Sequence, residues 1–331
     1  MPKGRVWRAR RFGSPQEVLQ LEAEDLVPPG PGRVIVRVAA AGIGLPDLLL
    51  AKGAYPGVSQ PPVTPGQEVA GEVVEVAPGS AFAPGDRVMG MTPFAEGSGG
   101  CGDFAYVREA KACRAPACLT DEAAAGFLIG FRSAHAALVD RVPVEPGQSV
   151  VVLGAAGSSG SAGIQLAKAL GAQVIAVAGG PAKCDFCRSI GADVAIDYRA
   201  AGDLGEAIRA AAGGRGADVL FDPVGGESAV AAVKGLGRGG RVAMLGFASG
   251  TWLKPDPLDL VLRNYGVLGV FAGGYTADED QAAYRYLVGL AEEGRIRTPV
   301  GQVWSFAEVP SAIASLQAPP PGKSVIRGAG T

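Results

Sequence analysis

Residues 151–160, VVLGAAGSSG, run an apolar strand into a loop of glycine and serine, and the amphipathic SAGIQLAKALG follows directly. That composition, between a strand and a helix, suits a phosphate cradle. One glycine permits a tight turn, one lets the backbone approach an anion, and a third lets the helix pack on the strand. The G-x-G-x-x-G positions are filled by Ala155, Gly157 and Gly160, with Gly154 just before and Ala156 between. Backbone N–H groups of residues 157–160 would face the pyrophosphate of a dinucleotide at a helix N-terminus, where the dipole favours an anion. The hydroxyls of Ser158 and Ser159 add donors. A second apolar strand about 20 residues on supplies the context the motif needs.

The end of that second strand selects the cofactor. A chain that binds NAD places Asp or Glu there for the ribose 2′-hydroxyl. Here VIAVAGGPAK has Ala178, Gly179 and Gly180, and no acid. Lys183 follows on the first helical turn, where an ammonium would meet a 2′-phosphate. The missing acid removes repulsion and the lysine adds attraction, so the expected cofactor is NADP(H).

Other reactive residue types carry less. His135 is the only histidine and lies in the apolar SAHAALVD, which reads as structural; no nucleophile motif accompanies it, and a His-rich metal site is impossible. Cys184 and Cys187 have C-x-x-C spacing but fall on a helix after the second strand, and read as small half-buried residues. Cys101, Cys113 and Cys118 follow no structural-zinc spacing. Asp47, in PDLLL, reads as the N-cap of a short helix.

The elements that must position these residues fall into two patterns. Up to about residue 124, short β-rich runs such as RVIVRVAAAGI, GQEVAGEVVEVA and DFAYVRE alternate with turn signals, which predicts a small barrel. From Val150, strands expected at 149–154, 173–178, 193–197, 217–222, 240–246 and 266–271 alternate with helical stretches. That is the sequence form of a doubly wound parallel six-stranded sheet. The tail after about 275 is too short for a domain and is expected to fold back onto the first. At 331 residues the chain has room for two domains. Thirty basic against 32 acidic residues, a net charge of −2, argue against nucleic-acid binding. No stretch nears the roughly 20 apolar residues of a membrane span, the start MPKGRVWRARRFG has no apolar core of a secretion signal, and five cysteines suit reduced thiols. A cytoplasmic protein is expected.

Several motifs occur in order: AGIGLPDLLLAKGAYP, PPVTPGQEVAGEV, GSGGCGDFAYV, GAAGSSGSAGIQLAKALGAQVIAVAG, GRGADVLFDPVGG, GRGGRVAMLGFASG and a closing GKSVIR. Together they resemble the medium-chain dehydrogenase/reductase superfamily, in its zinc-free quinone oxidoreductase (zeta-crystallin-like) branch, over nearly the whole chain. The resemblance implies an α/β protein with a GroES-like β-barrel catalytic domain, residues 1–124 completed by 275–331. Residues 125–274 would form a Rossmann NADP(H)-binding domain. It implies homodimers paired through the last Rossmann strand, around YGVLGVFAGG. It implies hydride transfer from NADPH to a quinone or to the β-carbon of an α,β-unsaturated carbonyl. By resemblance Lys183 and Tyr198 lie at the 2′-phosphate, while Gly246, Phe247 and Ala248, with Phe271 and Gly273, line the nicotinamide side. Tyr55, in GAYP, matches a tyrosine of the substrate cleft, as a proton donor or only as part of a lid.

The departures are specific. The zinc branch has a catalytic Cys and a His-Glu pair where this chain has Gly44 and Gln67–Glu68, so no metal is expected and Glu68 reads as structural. Quinone reductases often carry Asn, Tyr and Thr where Gly44, Leu49 and Arg132 stand. The expected substrate pocket thus loses three polar groups and gains one charge. Hydride transfer survives this, because it needs positioning more than acid-base groups. A dedicated enoyl reductase or cyclase tailoring a specialised metabolite, or a non-catalytic NADPH-binding protein, are the alternatives to a general reductase.

Overall fold

The computed structural model describes residues 3–330. Seven strands come first: β1 (Lys3–Ala9), β2 (Leu19–Asp25), β3 (Arg33–Ile43), β4 (Glu68–Val76), β5 (Arg87–Met91), β6 (Phe104–Arg108) and β7 (Ala112–Arg114). Six follow: β8 (Ser149–Val152), β9 (Gln173–Ala178), β10 (Val194–Asp197), β11 (Ala217–Asp222), β12 (Leu236–Met244) and β13 (Gly266–Gly269). The chain ends with β14 (Val300–Trp304) and β15 (Lys323–Arg327). It divides into two compact units, Met1–Ile129 with Thr276–Glu292 and Arg297–Thr331, and Gly130–Tyr275 with Glu293–Ile296. Among the described residues no helix is long and apolar enough to cross a membrane.

In the first unit the β-branched run of β3 pairs antiparallel with β4, β6 and the C-terminal β15. Val34, Val36 and Val38 of β3 pack with Val69, Val73, Val88 and Val107 into its core. Pairing Ser324 with Ile43 and Arg327 with Ala40 brings Lys323 to the inner end of β3. There the Lys323 ammonium donates to Glu68 Oε1 at 2.7 Å, with side chains 5% and 1% exposed, and Glu68 Oε2 accepts the Ile129 N–H at 3.0 Å. Glu68 is structural, as its sequence context indicates. Removing either partner would strand a buried charge, an effect of about 3–5 kcal/mol.

The second unit is the doubly wound sheet, strand order β10-β9-β8-β11-β12-β13, with every pairing parallel. Val150, Val151 and Val152 are fully buried, as the continuous apolar runs of a two-sided parallel sheet require. Strand β12 starts at Leu236, ahead of the predicted 240. The glycines at 237, 239 and 240 are absorbed by a register shift, Ala217 facing Leu236 and Val219 facing Arg241.

Asp47 is not the N-cap of its helix, Leu45–Ala51. Gly44 is the N-cap, in extended conformation. Having no side chain, Gly44 is capped in reverse: Asp47 Oδ2 accepts its N–H at 2.7 Å, while Oδ1 accepts the Gly66 N–H at 2.6 Å. One buried carboxylate thus ties the Gly44 turn to the Gly66–Gln67 turn. Burial outweighs these two donors and pushes the Asp47 carboxyl up to about 6. The folded protein then holds this proton more tightly than the unfolded chain does. Its contribution to stability is full below about pH 4 and is lost as the pH rises through 6. In denaturant titrations, the deficit of Asp47→Asn relative to wild type should be largest at pH 4 and shrink by roughly 3 kcal/mol by pH 7. A deficit that does not vary with pH would show that Asp47 ionises normally.

Candidate functional site

Strand β8 ends at Val152 and one tight loop leads into the helix Ser158–Ala169. Gly157 caps that helix, and its own N–H donates to the Gly154 carbonyl at 2.9 Å. This corrects one expectation: the Gly157 N–H is engaged within the loop. The N–H groups of Ser158, Ser159 and Gly160 are left as the open donors of the first turn. Ala155 and Ala156 are buried, and the Ala155 N–H ties the loop to the Val177 carbonyl of β9 at 3.2 Å. A Cβ on Gly160 would sit 2.3 Å from the Gly154 carbonyl oxygen, so only glycine lets the helix approach the loop.

At the end of β9 the chain turns through Gly179 and Gly180 into the helix Pro181–Ser189, which carries Lys183 on its first turn. Tyr198 and Arg199, just past β10, lie against this turn. A Cβ on Gly179 would meet Tyr198 Cε1 at 2.9 Å and Arg199 Nε at 3.0 Å. Asp197 fastens the two turns together, its Oδ1 accepting the Gly180 N–H at 2.9 Å and the Arg199 N–H at 3.0 Å. These bonds hold the Asp197 carboxyl below its usual range. Arg199 and Asp197 escape a reading that follows the chain alone. The signal is the parallel register, which sets Asp197 beside Ala178. On the same helix Cys184 and Cys187 are buried, and burial pushes the Cys187 thiol up to about 12, so the pair is chemically quiet.

The strand order reverses between β8 and β11, the switch point at which doubly wound sheets bind ligands. Asp222 closes β11 there, fully buried, with Oδ1 accepting the Val224 and Gly225 N–H groups at 2.9 and 2.7 Å. Its Oδ2 meets no hydrogen-bond partner among the described residues. Beyond β12, Gly246 and Ala248 are pinned to the Asp222 and Pro223 carbonyls, and the Phe247 ring stacks near Trp252 with centroids 4.7 Å apart. Past β13, Phe271 is 78% exposed and shields Gly273, where a Cβ would lie 2.6 Å from its ring. All of the proposed cofactor residues therefore fall at the carboxyl edge of one sheet.

Arg132 does not offer a loose charge. It is 1% exposed, its Nη1 donates to Asp140 Oδ2 at 3.1 Å, and its guanidinium lies 4.1 Å over the Tyr275 ring. His135 Nδ1 sits 3.3 Å from the same carboxylate oxygen, and burial lowers the imidazole's pKa, so it stays neutral at pH 7.

In the barrel unit, Gly44 and the half-buried Leu49 flank the Asp47 helix start. Tyr55 packs edge-on against Phe94, ring centroids 5.3 Å apart. Burial first, and then the Asp47 charge, push its phenol up, while a hydrogen bond from the Gln67 side chain opposes them. Cys101 is buried and its thiol is well above the usual range. Among the described residues, no group of three or more His, Cys, Asp or Glu side chains could hold a metal ion.

Residues 30–143 match the family model of the alcohol dehydrogenase GroES-like domain, and residues 160–290 that of the zinc-binding dehydrogenases. The chain is 32% identical over 314 residues to quinone oxidoreductase-like protein 2 of Bos taurus, covering 93% of this chain and 88% of that one. Among solved structures, a mycobacterial protein in complex with NADPH superposes with a TM-score of 0.89 at 27% identity, covering 98% of this chain and 99% of that one. The quinone oxidoreductase of Pseudomonas syringae gives 0.88 at 25% identity with the same coverage. With a parallel six-stranded sheet, a GroES-like domain and relatives of this kind, the chain belongs to the quinone oxidoreductase branch of the medium-chain dehydrogenase/reductase superfamily.

Proposed function

We propose that the chain is an NADPH-dependent oxidoreductase, and that it passes hydride to a quinone or to the β-carbon of an α,β-unsaturated carbonyl without zinc. One observation carries the cofactor. The end of β9 has no acid, and Lys183, Tyr198 and Arg199 gather around its glycine turn. The residues fit a dinucleotide. Glycine is required where the backbone must come close, the helix has open N–H donors, and a buried carboxylate oxygen of Asp222 has no partner at the switch point. The relative solved with NADPH supports the same reading.

Bound NADPH would supply the hydride. The open N–H groups of Ser158, Ser159 and Gly160 bind the pyrophosphate, and the cations of Lys183 and Arg199 with the Tyr198 hydroxyl hold the 2′-phosphate. Gly246–Ala248 and Phe271–Gly273 border the nicotinamide and keep water from it. Tyr55, whose raised pKa keeps it protonated at neutral pH, gives a proton to the oxyanion left on the acceptor. Zinc has no place in this scheme. Gly44 and Gln67 offer no metal-binding side chain, and the Glu68 carboxylate is taken up by Lys323 and the Ile129 N–H. The names of the relatives favour a quinone acceptor. The loss of polar groups at Gly44 and Leu49 favours a bulkier enone, which is the second reading.

A second copy would pair along β13. That strand is the sheet's edge, and the preceding helix, Pro257–Arg263, buries none of its residues and exposes Leu258, Val261 and Leu262 by 63–71%. Sedimentation at micromolar concentration should return twice the chain mass, and a monomer would remove this assignment.

Lys183→Glu should weaken NADPH by about 10- to 100-fold, the worth of a charge-assisted hydrogen bond, and leave NADH nearly unchanged. Equal losses, or none, would refute the 2′-phosphate assignment. Purified protein followed by nicotinamide absorbance should turn over quinones or enones with NADPH, and elemental analysis of the same sample should find no stoichiometric zinc. Tight NADPH binding with no turnover of any simple acceptor would point to a dedicated metabolite or a non-catalytic protein. One zinc per chain would overturn the metal-free mechanism.

A further inference from the structure

Arg132 replaces a small residue common among relatives, and the hydride-transfer scheme gives it no task. Its surroundings do. The helix Leu128–His135 that carries it runs into a π-helical turn, Ala136–Arg141, a feature that often marks functional sites. Two consecutive residues of that turn engage the two ends of one loop. Arg141 Nε donates to the Gly269 carbonyl at 3.1 Å, at the last residue of β13. Asp140 holds the Arg132 guanidinium, which lies 4.1 Å over the Tyr275 ring. Between these anchors runs Val270–Gly274.

That loop has little to fix it from within. Its Ala272–Gly274 turn lacks long side chains, and its one large apolar group, Phe271, is 78% exposed. Glycines carry the greatest conformational freedom, so the loop's shape depends on its ends. It also stands at the carboxyl edge of the parallel sheet, where doubly wound folds bind their ligands. We propose that the π-turn is a clamp on this loop, and that Arg132, Asp140 and Arg141 are positioning residues for the nicotinamide half of the cofactor. The proposal rests on the NADP(H) reading above, with residues 271–273 bordering the nicotinamide. It explains why a buried arginine is retained: its stacking on Tyr275 pins the loop's far end, and Asp140 neutralises its charge there.

The test uses Tyr275→Ala, which removes the face under the guanidinium, and Arg141→Met, which removes the bond to Gly269. The Arg141 side chain is exposed, so that variant keeps the question open should Tyr275→Ala fail to fold. Calorimetry would measure NADPH beside adenosine 2′,5′-bisphosphate, a probe that lacks the nicotinamide half. Each variant should weaken NADPH by about tenfold, the order of one newly mobile residue, and hold the bisphosphate within about twofold of wild type. Equal weakening of both ligands would show a merely structural role, and unchanged NADPH binding would show that the loop needs no clamp; either overturns the proposal. Wild-type protein that binds neither ligand would instead sink the cofactor reading beneath it, and the clamp with it.

Discussion

Parallel strands all end on the same side. In the second unit this constraint gathers loops from six strands along one edge, although their residues lie far apart in the chain. The edge collects the open N–H groups after β8, the glycine turn after β9, Tyr198 and Arg199 after β10 and the buried Asp222 at β11. Phe247 and Phe271 follow from β12 and β13. Each loop alone is an ordinary connection. Their convergence makes an anion-binding surface with a cationic end, which is what a phosphorylated dinucleotide requires.

The barrel unit is organised by carboxylates. Asp47 ties two backbone turns together through their N–H groups, and Glu68 joins Lys323 of the last strand to the Ile129 N–H. In zinc-dependent members, by resemblance, this neighbourhood holds metal ligands. In this chain the same stretch has become a set of buried hydrogen bonds and one ion pair. Such a network stabilises only while every member is present.

Local pattern carried much of this architecture. The apolar runs of β8, β9 and β11 and the glycine loop were legible, because a strand buried on both faces and a loop hugging a helix each limit which residues can stand there. The role of Lys183 rested on its place one turn into a helix. What stayed hidden depended on neighbours remote in sequence. Arg199 and Asp197 meet Gly179 and Gly180 only because β10 lies beside β9. The partners of Arg132 sit on a π-helical turn that apolar periodicity does not announce, so its charge looked loose when it is in fact neutralised. Asp47 was misplaced by one helical turn, since a glycine N-cap leaves capping to the third residue of the helix.

The crowding at Gly179 has a consequence for how cofactor preference can change. In a chain that uses NAD, an acid at the end of the second strand is enough. Here any side chain at that position would run into Tyr198 and Arg199, and the neighbouring Gly180 N–H is already held by Asp197. Preference is therefore a joint property of two adjacent strand ends. A lineage moving toward the unphosphorylated cofactor would have to clear the second strand before it could write an acid on the first.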